Sequence, residues 1–282
     1  MLCIVCSGSI RGHTESDLHA AEGDQALIDT HSHLLPYVDH GCPDLRTSLL
    51  MARAAVASGI DTVFCTPHLP ESDPTVIADI RTVAEEVRAA LADNGIALTL
   101  RLGFEVDLAV VAAHTPGELA ELTVEGTAGA LVLEMPYHGW PNYLEEALFR
   151  LSAKGLRPVL AHPERNDHVQ RDPKILEACT KAGTVVQATA ASLTGEFGKA
   201  TERTLTRMVS LGLVGLLASD AHAYRTDNWT LASALERLSG KIDPEGLRVL
   251  VDENPRRLME GRSLLQVGMG GRSSPRSPWR RR

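Results

Sequence analysis

Histidines, glutamates and an aspartate recur in this 282-residue sequence where they can reach a common metal ion. His31 and His33 are separated by a single residue, and in extended backbone positions i and i+2 share a face, so both imidazoles can approach one cation. His68, Glu105, Glu134, His162 and the pair Asp220 and His222 each follow a short run of aliphatic or β-branched residues, as His31 and His33 do. One His-x-His pair is a weak signal. The same placement behind six separate runs points to one shared metal site. Mixed imidazole and carboxylate donors suit Mn, Fe or Zn better than Ca or Mg, and three carboxylates among them can serve more than one ion. The chemistry this supports is metal-assisted hydrolysis, in which the cation lowers the pKa of water towards ~7 and neutralises charge on the reacting oxygens.

Bringing those side chains together requires elements that end on one side of the molecule. Seven runs, Ala26–Thr30, Asp61–Thr66, Ala97–Leu102, Gly129–Glu134, Arg157–Ala161, Thr184–Ala188 and Val214–Ser219, read as buried parallel strands. Apolar residues at a 3.6-residue period predict helices over Asp44–Ser58, Pro74–Asn94, Asn142–Lys154, Pro173–Ala182, Lys199–Leu211, Thr230–Leu238 and Pro244–Val251. Glycines such as Gly59, Gly95, Gly155, Gly183 and Gly212 mark helix ends, as left-handed caps require. Repeated strand–helix units give an α/β fold. Lacking a glycine-rich dinucleotide loop after the first strand, they favour a seven-stranded β/α barrel over a doubly wound sheet. In a barrel the strand ends converge on one mouth, where such enzymes keep their sites.

Composition narrows the field further. At 44% hydrophobic and 23% charged, the chain has the balance of a globular protein with a large core. Its best apolar run, Leu211 to Ala218, is eight residues long against the ~18 of a bilayer-spanning helix, so no membrane insertion is expected. A net charge of −8 speaks against nucleic acid as a partner. That charge is uneven: residues 268–282 hold five arginines and no acid, leaving 23 basic and 36 acidic side chains elsewhere. Cys3, Cys6, Cys42, Cys65 and Cys179 are odd in number and lack zinc-ribbon spacing, which fits a reducing compartment and a cytoplasmic protein. Residues 1–25 read as an N-terminal extension outside the fold, 26–262 as the folded domain and 263–282 as a disordered basic tail. Within the extension, Cys6-Ser-Gly-Ser-Ile-Arg11 is one residue too short for the phosphate loop of cysteine-dependent phosphatases, and no helix-forming segment follows to lower the thiol pKa.

The motifs Asp29-Thr-His31-Ser-His33-Leu-Leu-Pro-Tyr-Val-Asp39-His40-Gly41, Thr66-Pro-His68, Gly103-Phe-Glu105, Leu133-Glu134-Met-Pro-Tyr137, Ala161-His162-Pro-Glu-Arg165, Ser219-Asp220-Ala-His222 and Glu253-Asn-Pro255-Arg-Arg together resemble the polymerase-and-histidinol-phosphatase (PHP) superfamily. Their order and spacing resemble its bacterial branch of manganese-dependent protein-tyrosine phosphatases from capsule and exopolysaccharide loci, over roughly residues 26–262. The resemblance implies a distorted seven-stranded β/α barrel, the PHP fold. It implies hydrolysis of phosphotyrosine in proteins with Mn2+, two or three ions per chain, Fe or Zn being the other choices. The implied partner is a tyrosine kinase of polysaccharide export, and a homo-oligomer is left open. By the same resemblance a first ion falls to His31, His33, Glu105 and Asp220, a second to Glu105, Glu134 and His162, and a third to His40, His68 and His222. This branch usually carries aspartate at the position of His40, other superfamily members carry histidine, and Asp39 is the alternative ligand. Arg165 matches an arginine the family uses near substrate phosphate, and Arg225 corresponds to a second one at shorter spacing.

Other readings stand beside these. The same superfamily includes histidinol-phosphate phosphatases, small-nucleotide phosphodiesterases and non-catalytic metal-stabilised domains. Arg165 can instead pair with Glu164 or Asp167. His13, His19, His114 and His168 fall outside the strand-end pattern and read as solvated, whereas His138 sits in a loop at the mouth. Tyr137 and Trp140 can flank a phosphotyrosine ring or simply pack a loop, and Met51 and Met208 read as core.

Overall fold

In the computed structural model, which describes residues 27–69, 72–223, 229–268 and 274–275, the apolar runs pair as parallel strands. In chain order these are β1 (Leu27–Ser32), β2 (Ile60–Cys65), β3 (His68–Leu69), β4 (Thr99–Leu102), β5 (Glu105–Asp107), β6 (Ala130–Glu134), β7 (Arg157–Ala161), β8 (Val185–Thr189) and β9 (Leu216–Ala218). One sheet has the order β1-β2-β4 and the other β3-β5-β6-β7-β8-β9. A single parallel bridge, Ser32 to Ala221, joins the ends of β1 and β9, with His33 N donating to Ala221 O at 2.9 Å and Asp220 N to His31 O at 3.0 Å.

Two of the expected strands are followed, after a short break, by a second strand that the pattern did not show. Asp61–Thr66 appears as β2 and is followed past Thr66-Pro67 by β3, and Ala97–Leu102 appears as β4 and is followed past Gly103-Phe104 by β5. Pro67 has no N–H to give a ladder, yet its carbonyl accepts from Glu105 N at 3.0 Å. Register carries across the break unchanged, Cys65 standing opposite Leu102 and His68 opposite Glu105. Glycine is required at the turn-out, because a Cβ on Gly103 would lie 2.5 Å from Cγ2 of Val124. The first strand also runs further than expected, so His31 lies inside β1 rather than beyond it.

The helices are α1 (Leu45–Ala57), α2 (Pro74–Asp93), α3 (Leu108–Ala113), α4 (Pro116–Leu119), α5 (Leu144–Ala153), α6 (Asp167–Arg171), α7 (Leu176–Lys181), α8 (Gly198–Ser210), α9 (Leu231–Leu238), α10 (Pro244–Arg248) and α11 (Asn254–Met259). Aspartates open the two longest sequence-evident ones: Asp44 accepts from Thr47 N and Asp73 from Thr75 N. The short α3, α4 and α6 escape periodicity but are capped by Asp107, Thr115 and Asn166. The helix expected over Pro244–Val251 instead gives way after Arg248 to a π-helical turn, Val249–Glu253, that leads into α11. That expected over Pro173–Ala182 opens with a 3-10 turn, Pro173–Ile175, before α7. No described helix is long and apolar enough to cross a membrane.

A large core packs strands against helices and includes Met51 and Met208, both buried as expected. A smaller one gathers Ile28, Phe64, Val132, Val159, Val185 and Leu216, one from each of six strands, under Leu258 of α11. Packing continues past Arg262, where the domain was expected to end. Leu264 and Val267 are buried because Asn254 pins that segment to the sheet, and Leu265–Gln266 pairs antiparallel with Ser274–Pro275. Asn254 Nδ2 donates to Gly215 O at 2.8 Å and Leu265 O at 2.9 Å, while its Oδ1 accepts from Leu265 N at 2.7 Å. The expected extension over 1–25, with Cys6 and Arg11, lies outside the described residues, as does most of the tail.

Asn254 is fully buried, so Asn254→Ala strands three backbone groups and is expected to cost about 2–4 kcal/mol. A lower denaturant midpoint at unchanged slope checks this; an unshifted midpoint would show that the pin is dispensable.

Candidate metal centre

The ligand-type residues converge where β1 meets the ends of the other strands. His31 and His33, two apart on β1 and its exit, bring their Nε2 atoms to 3.2 Å of each other. Two hydrogen-bonding chains decide which nitrogen of each ring carries a proton. Gln187 on β8 gives its Nε2 protons to Thr30 O at 3.0 Å and Thr30 Oγ1 at 2.9 Å, so its Oε1 faces His31 Nδ1 at 2.8 Å as an acceptor. His33 Nδ1 lies 2.7 Å from Asp39 Oδ2. Both imidazoles therefore hold Nδ1–H outwards and turn Nε2 to the centre.

Two carboxylates face those nitrogens. Glu105 Oε2 is 3.1 Å from His31 Nε2, 3.5 Å from His33 Nε2 and 3.3 Å from His68 Nδ1, while Oε1 is 2.8 Å from His162 Nε2. Asp220 Oδ1 lies 3.5 Å from His31 Nε2 and 3.3 Å from His33 Nε2. Burial alone would push both carboxyls up, but the surrounding imidazoles, and Arg165 beside Asp220, hold them well below the usual range. Burial lowers His33, yet Asp220, Asp39 and Glu105 outweigh it and hold the imidazole well above its ordinary value. Burial and the neighbouring His33 push His222 down to about 4.

Three sets of donor atoms lie close enough to share an ion: His31, His33 and Glu105; His68, Glu105 and Glu134; and His33, His68 and His222. Imidazole nitrogens and ionised carboxylate oxygens converging on one centre fit a cation, which can replace the protons that the carboxylates hold on His31 and His33, and the donor set suits Mn, Fe or Zn. His40 belongs to none of the three sets, but its ring stacks on His222 at 4.6 Å and on His68 at 4.8 Å between centroids. Asp39, the alternative ligand, is committed elsewhere: besides His33 it accepts from Gly41 N at 2.8 Å and His68 N at 3.1 Å. A Cβ on Gly41 would collide with His33 O, so this loop needs glycine next to His40.

Strand ends alone do not aim these side chains. His162 (φ 36°) and Asp220 (φ 57°) adopt left-handed backbone just beyond β7 and β9, an unusual state for non-glycine residues that turns the chain sharply at the centre. Arg165 pairs with Asp220 rather than with Glu164 or Asp167, its Nη2 lying 2.6 Å from Asp220 Oδ2. Glu164 accepts from Thr189 N and Ser192 Oγ, and Asp167 accepts from Gly139 N and Arg171. A cavity of about 160 Å3 opens over the centre, lined by His40, His68, Tyr137, Arg165, Phe197 and His222. His138 and Trp140 line a neighbouring hollow instead, with Glu134. His114 and His168 stand outside the cluster, and Arg225, His13 and His19 lie outside the described residues.

Sequence reasoning missed Gln187, Asp29 and Phe197. Gln187 had a visible signal, a single polar residue inside the apolar run Val185-Val-Gln-Ala-Thr189 of the one strand without an evident ligand. Asp29 is fully buried, accepts from His31 N and Ser219 N, and is pushed by burial up to about 6. Nothing marked Phe197.

A family model described as capsular polysaccharide synthesis, CpsB/CapC, matches residues 27–260. Tyrosine-protein phosphatase YwqE of Bacillus subtilis is 32% identical over 244 residues, 85% of this chain and 94% of the relative. Tyrosine-protein phosphatase CpsB of Streptococcus pneumoniae is 23% identical over 242 residues, 83% of this chain and 98% of the relative. A crystal structure reported with YwqE and CpsB as unique metal-dependent tyrosine phosphatases superposes with a TM-score of 0.74 at 31% identity, covering 87% of this chain and all of the other. A phosphotriesterase homology protein from Escherichia coli shares the fold alone, with a TM-score of 0.53 at 14% identity over 84% of this chain and all of the other.

Gln187→Leu removes the acceptor that fixes His31 and is expected to weaken divalent-ion binding about 10–100-fold while the chain stays folded. Calorimetric titration of Mn2+ into the metal-free variant measures this, and wild-type affinity would show that His31 needs no such partner.

Proposed function

The chain belongs to the CpsB/CapC family of capsular polysaccharide synthesis, and from that premise we propose that it is a metal-dependent phosphatase of phosphotyrosine in proteins. One observation carries the chemistry: Glu105, with no exposed surface, has imidazole nitrogens against both of its oxygens, the arrangement of a carboxylate shared between ions. The relatives named tyrosine-protein phosphatases supply the substrate class.

In this reading His31, His33, Glu105 and Asp220 would hold a first ion, and Glu105, Glu134 and His162 a second, with His68 adjacent to Glu105 and Glu134. His68, His222 and the stacked His40 would hold a third. Mn2+ is the proposed metal, for which mixed imidazole and carboxylate donors are suited. When bound, such ions supply positive charge to the phosphoryl oxygens and an acidified water. The chain's own groups do the rest. Gln187 and Asp39 hold the His31 and His33 rings in the required tautomer. Arg165 at the cavity wall donates to a phosphate oxygen, and Tyr137 offers an aromatic wall to a phenyl ring. Arg225 is a second proposed phosphate contact.

The rest of the reading follows the same line. The Ser32–Ala221 bridge and the unbroken register from β2 into β3 support a distorted seven-stranded barrel, the two sheets forming one wall. Cys42, Cys65 and Cys179 are free and buried, which supports a cytoplasmic protein. The proposed substrate is a tyrosine kinase of polysaccharide export, and the first 25 residues and the arginine-rich tail are proposed to lie outside the catalytic domain.

Exhaustive chelation is expected to abolish hydrolysis of a phosphotyrosine peptide and Mn2+ to restore it, with histidinol phosphate and nucleotide substrates turned over at least about tenfold more slowly. Activity surviving verified metal loss would reject the metal role; preference for histidinol phosphate would reject the substrate. His40→Ala is expected to lower the ion count by one and kcat by about tenfold or more. Elemental analysis beside steady-state kinetics decides it: unchanged stoichiometry and turnover would remove His40 from the ligands.

A further inference from the structure

Arg165 is held more tightly than a phosphate receptor needs to be. Its Nη2 gives one proton to Asp220 Oδ2 at 2.6 Å and one to Thr189 Oγ1 at 3.1 Å, which uses up that nitrogen. Its Nε is buried without a partner among the described residues, and Nη1 bonds to none of them. The flat face of the guanidinium lies 3.8 Å from the centroid of the Phe197 ring. Stacking consumes no N–H, so it fixes the plane of the cation while leaving Nη1 to donate to another ligand.

The chain around Phe197 is built to put the ring there. Gly195 (φ 86°) and Gly198 (φ 82°) bracket Glu196-Phe197 in left-handed backbone, and Phe197 is exposed at the cavity wall just before α8. The base of this turn is anchored by the residue preceding Arg165: Glu164 Oε1 accepts from Thr189 N at 2.9 Å and Ser192 Oγ at 2.8 Å. Neighbouring side chains of one short 3-10 turn, Pro163–Arg165, thus grip both ends of the segment from Thr189 to Phe197. Without the ring, the strongest remaining partner of the guanidinium is Asp220, whose other oxygen faces His31 and His33.

We propose that Phe197 is a positioning residue that stacks on Arg165 and aims its Nη1 at the phosphate of the substrate. This rests on the phosphatase reading, and the experiment separates the two. Inorganic phosphate is titrated calorimetrically into the full chain loaded with Mn2+, for the wild type and for Phe197→Leu, Phe197→Tyr, Arg165→Ala and the double variant Phe197→Leu/Arg165→Ala.

Phe197→Leu keeps an apolar side chain but loses the π-face, and is expected to weaken phosphate binding about fivefold to twentyfold, with Phe197→Tyr within about twofold of wild type. In the Arg165→Ala background Phe197→Leu is expected to add nothing, since the group it positions is gone. Metal content stays constant across the Phe197 variants, and KM for a phosphotyrosine peptide rises in Phe197→Leu with kcat within about threefold. Wild-type phosphate affinity in Phe197→Leu, or a full effect persisting without Arg165, would overturn the inference. No phosphate binding by the loaded wild type would sink the phosphatase reading, and this inference with it.

Discussion

Glu105 has no exposed surface, and its two oxygens face four imidazoles contributed by β1, its exit, β3 and the end of β7. An ionised carboxylate in that position costs several kcal/mol of lost hydration unless positive charge or donors replace the water. Imidazoles can donate only from a protonated nitrogen, and the carboxylates here raise both His31 and His33 above the ordinary imidazole value. Without an ion, the centre keeps its buried oxygens ionised only by charging these rings. A cation resolves the conflict more completely than any rearrangement of these side chains, which is why the donor geometry, and not the count of histidines, identifies the site.

That requirement spreads outwards through the fold. His31 is fixed from β8 through Gln187, and His33 from the loop after β1 through Asp39, which also takes the backbone N–H groups of Gly41 and His68. The break between β2 and β3 frees His68 N for that carboxylate while keeping His68 in register with Glu105. Left-handed backbone at His162 and Asp220 costs on the order of 1 kcal/mol or more per residue. The two buried cores can bear such local strain because neither residue is on a mobile loop: His162 N is bonded to Gln187 O and Asp220 N to His31 O.

Strand-end chemistry was legible because apolar runs of five or six residues stop where a His, Glu or Asp begins, and pattern alone locates both. The His31-x-His33 pair was legible from alternation, although its first member proved to lie within β1. The strand breaks were not. Pro67 and Gly103 are visible as interruptions, but only the pairing of both broken strands at one level, with Val124 against Gly103, shows that they break together. Short capped helices such as α3 and α6 are too brief for a 3.6-residue period to register. Gln187, Thr189 and Phe197 act through contacts with residues 156, 24 and 32 positions away, and nothing local announces such partners.

Charge explains why a site so acidic can receive an anion. Among the described residues Asp39, Glu105, Glu134 and Asp220 stand against one guanidinium, Arg165, so once the imidazoles are neutral ligands these charges alone would repel phosphate. Two divalent ions would reverse that sign, and a third would add to it. Under the proposed function position 40 would tune the result, because a histidine there carries no negative charge at the exposed edge of the cluster. Asp39 does not restore it, because both of its oxygens serve His33, Gly41 and His68. The imidazole at position 40 would thus act on phosphate only as an absent charge, stacked with His68 and His222 at the cavity wall.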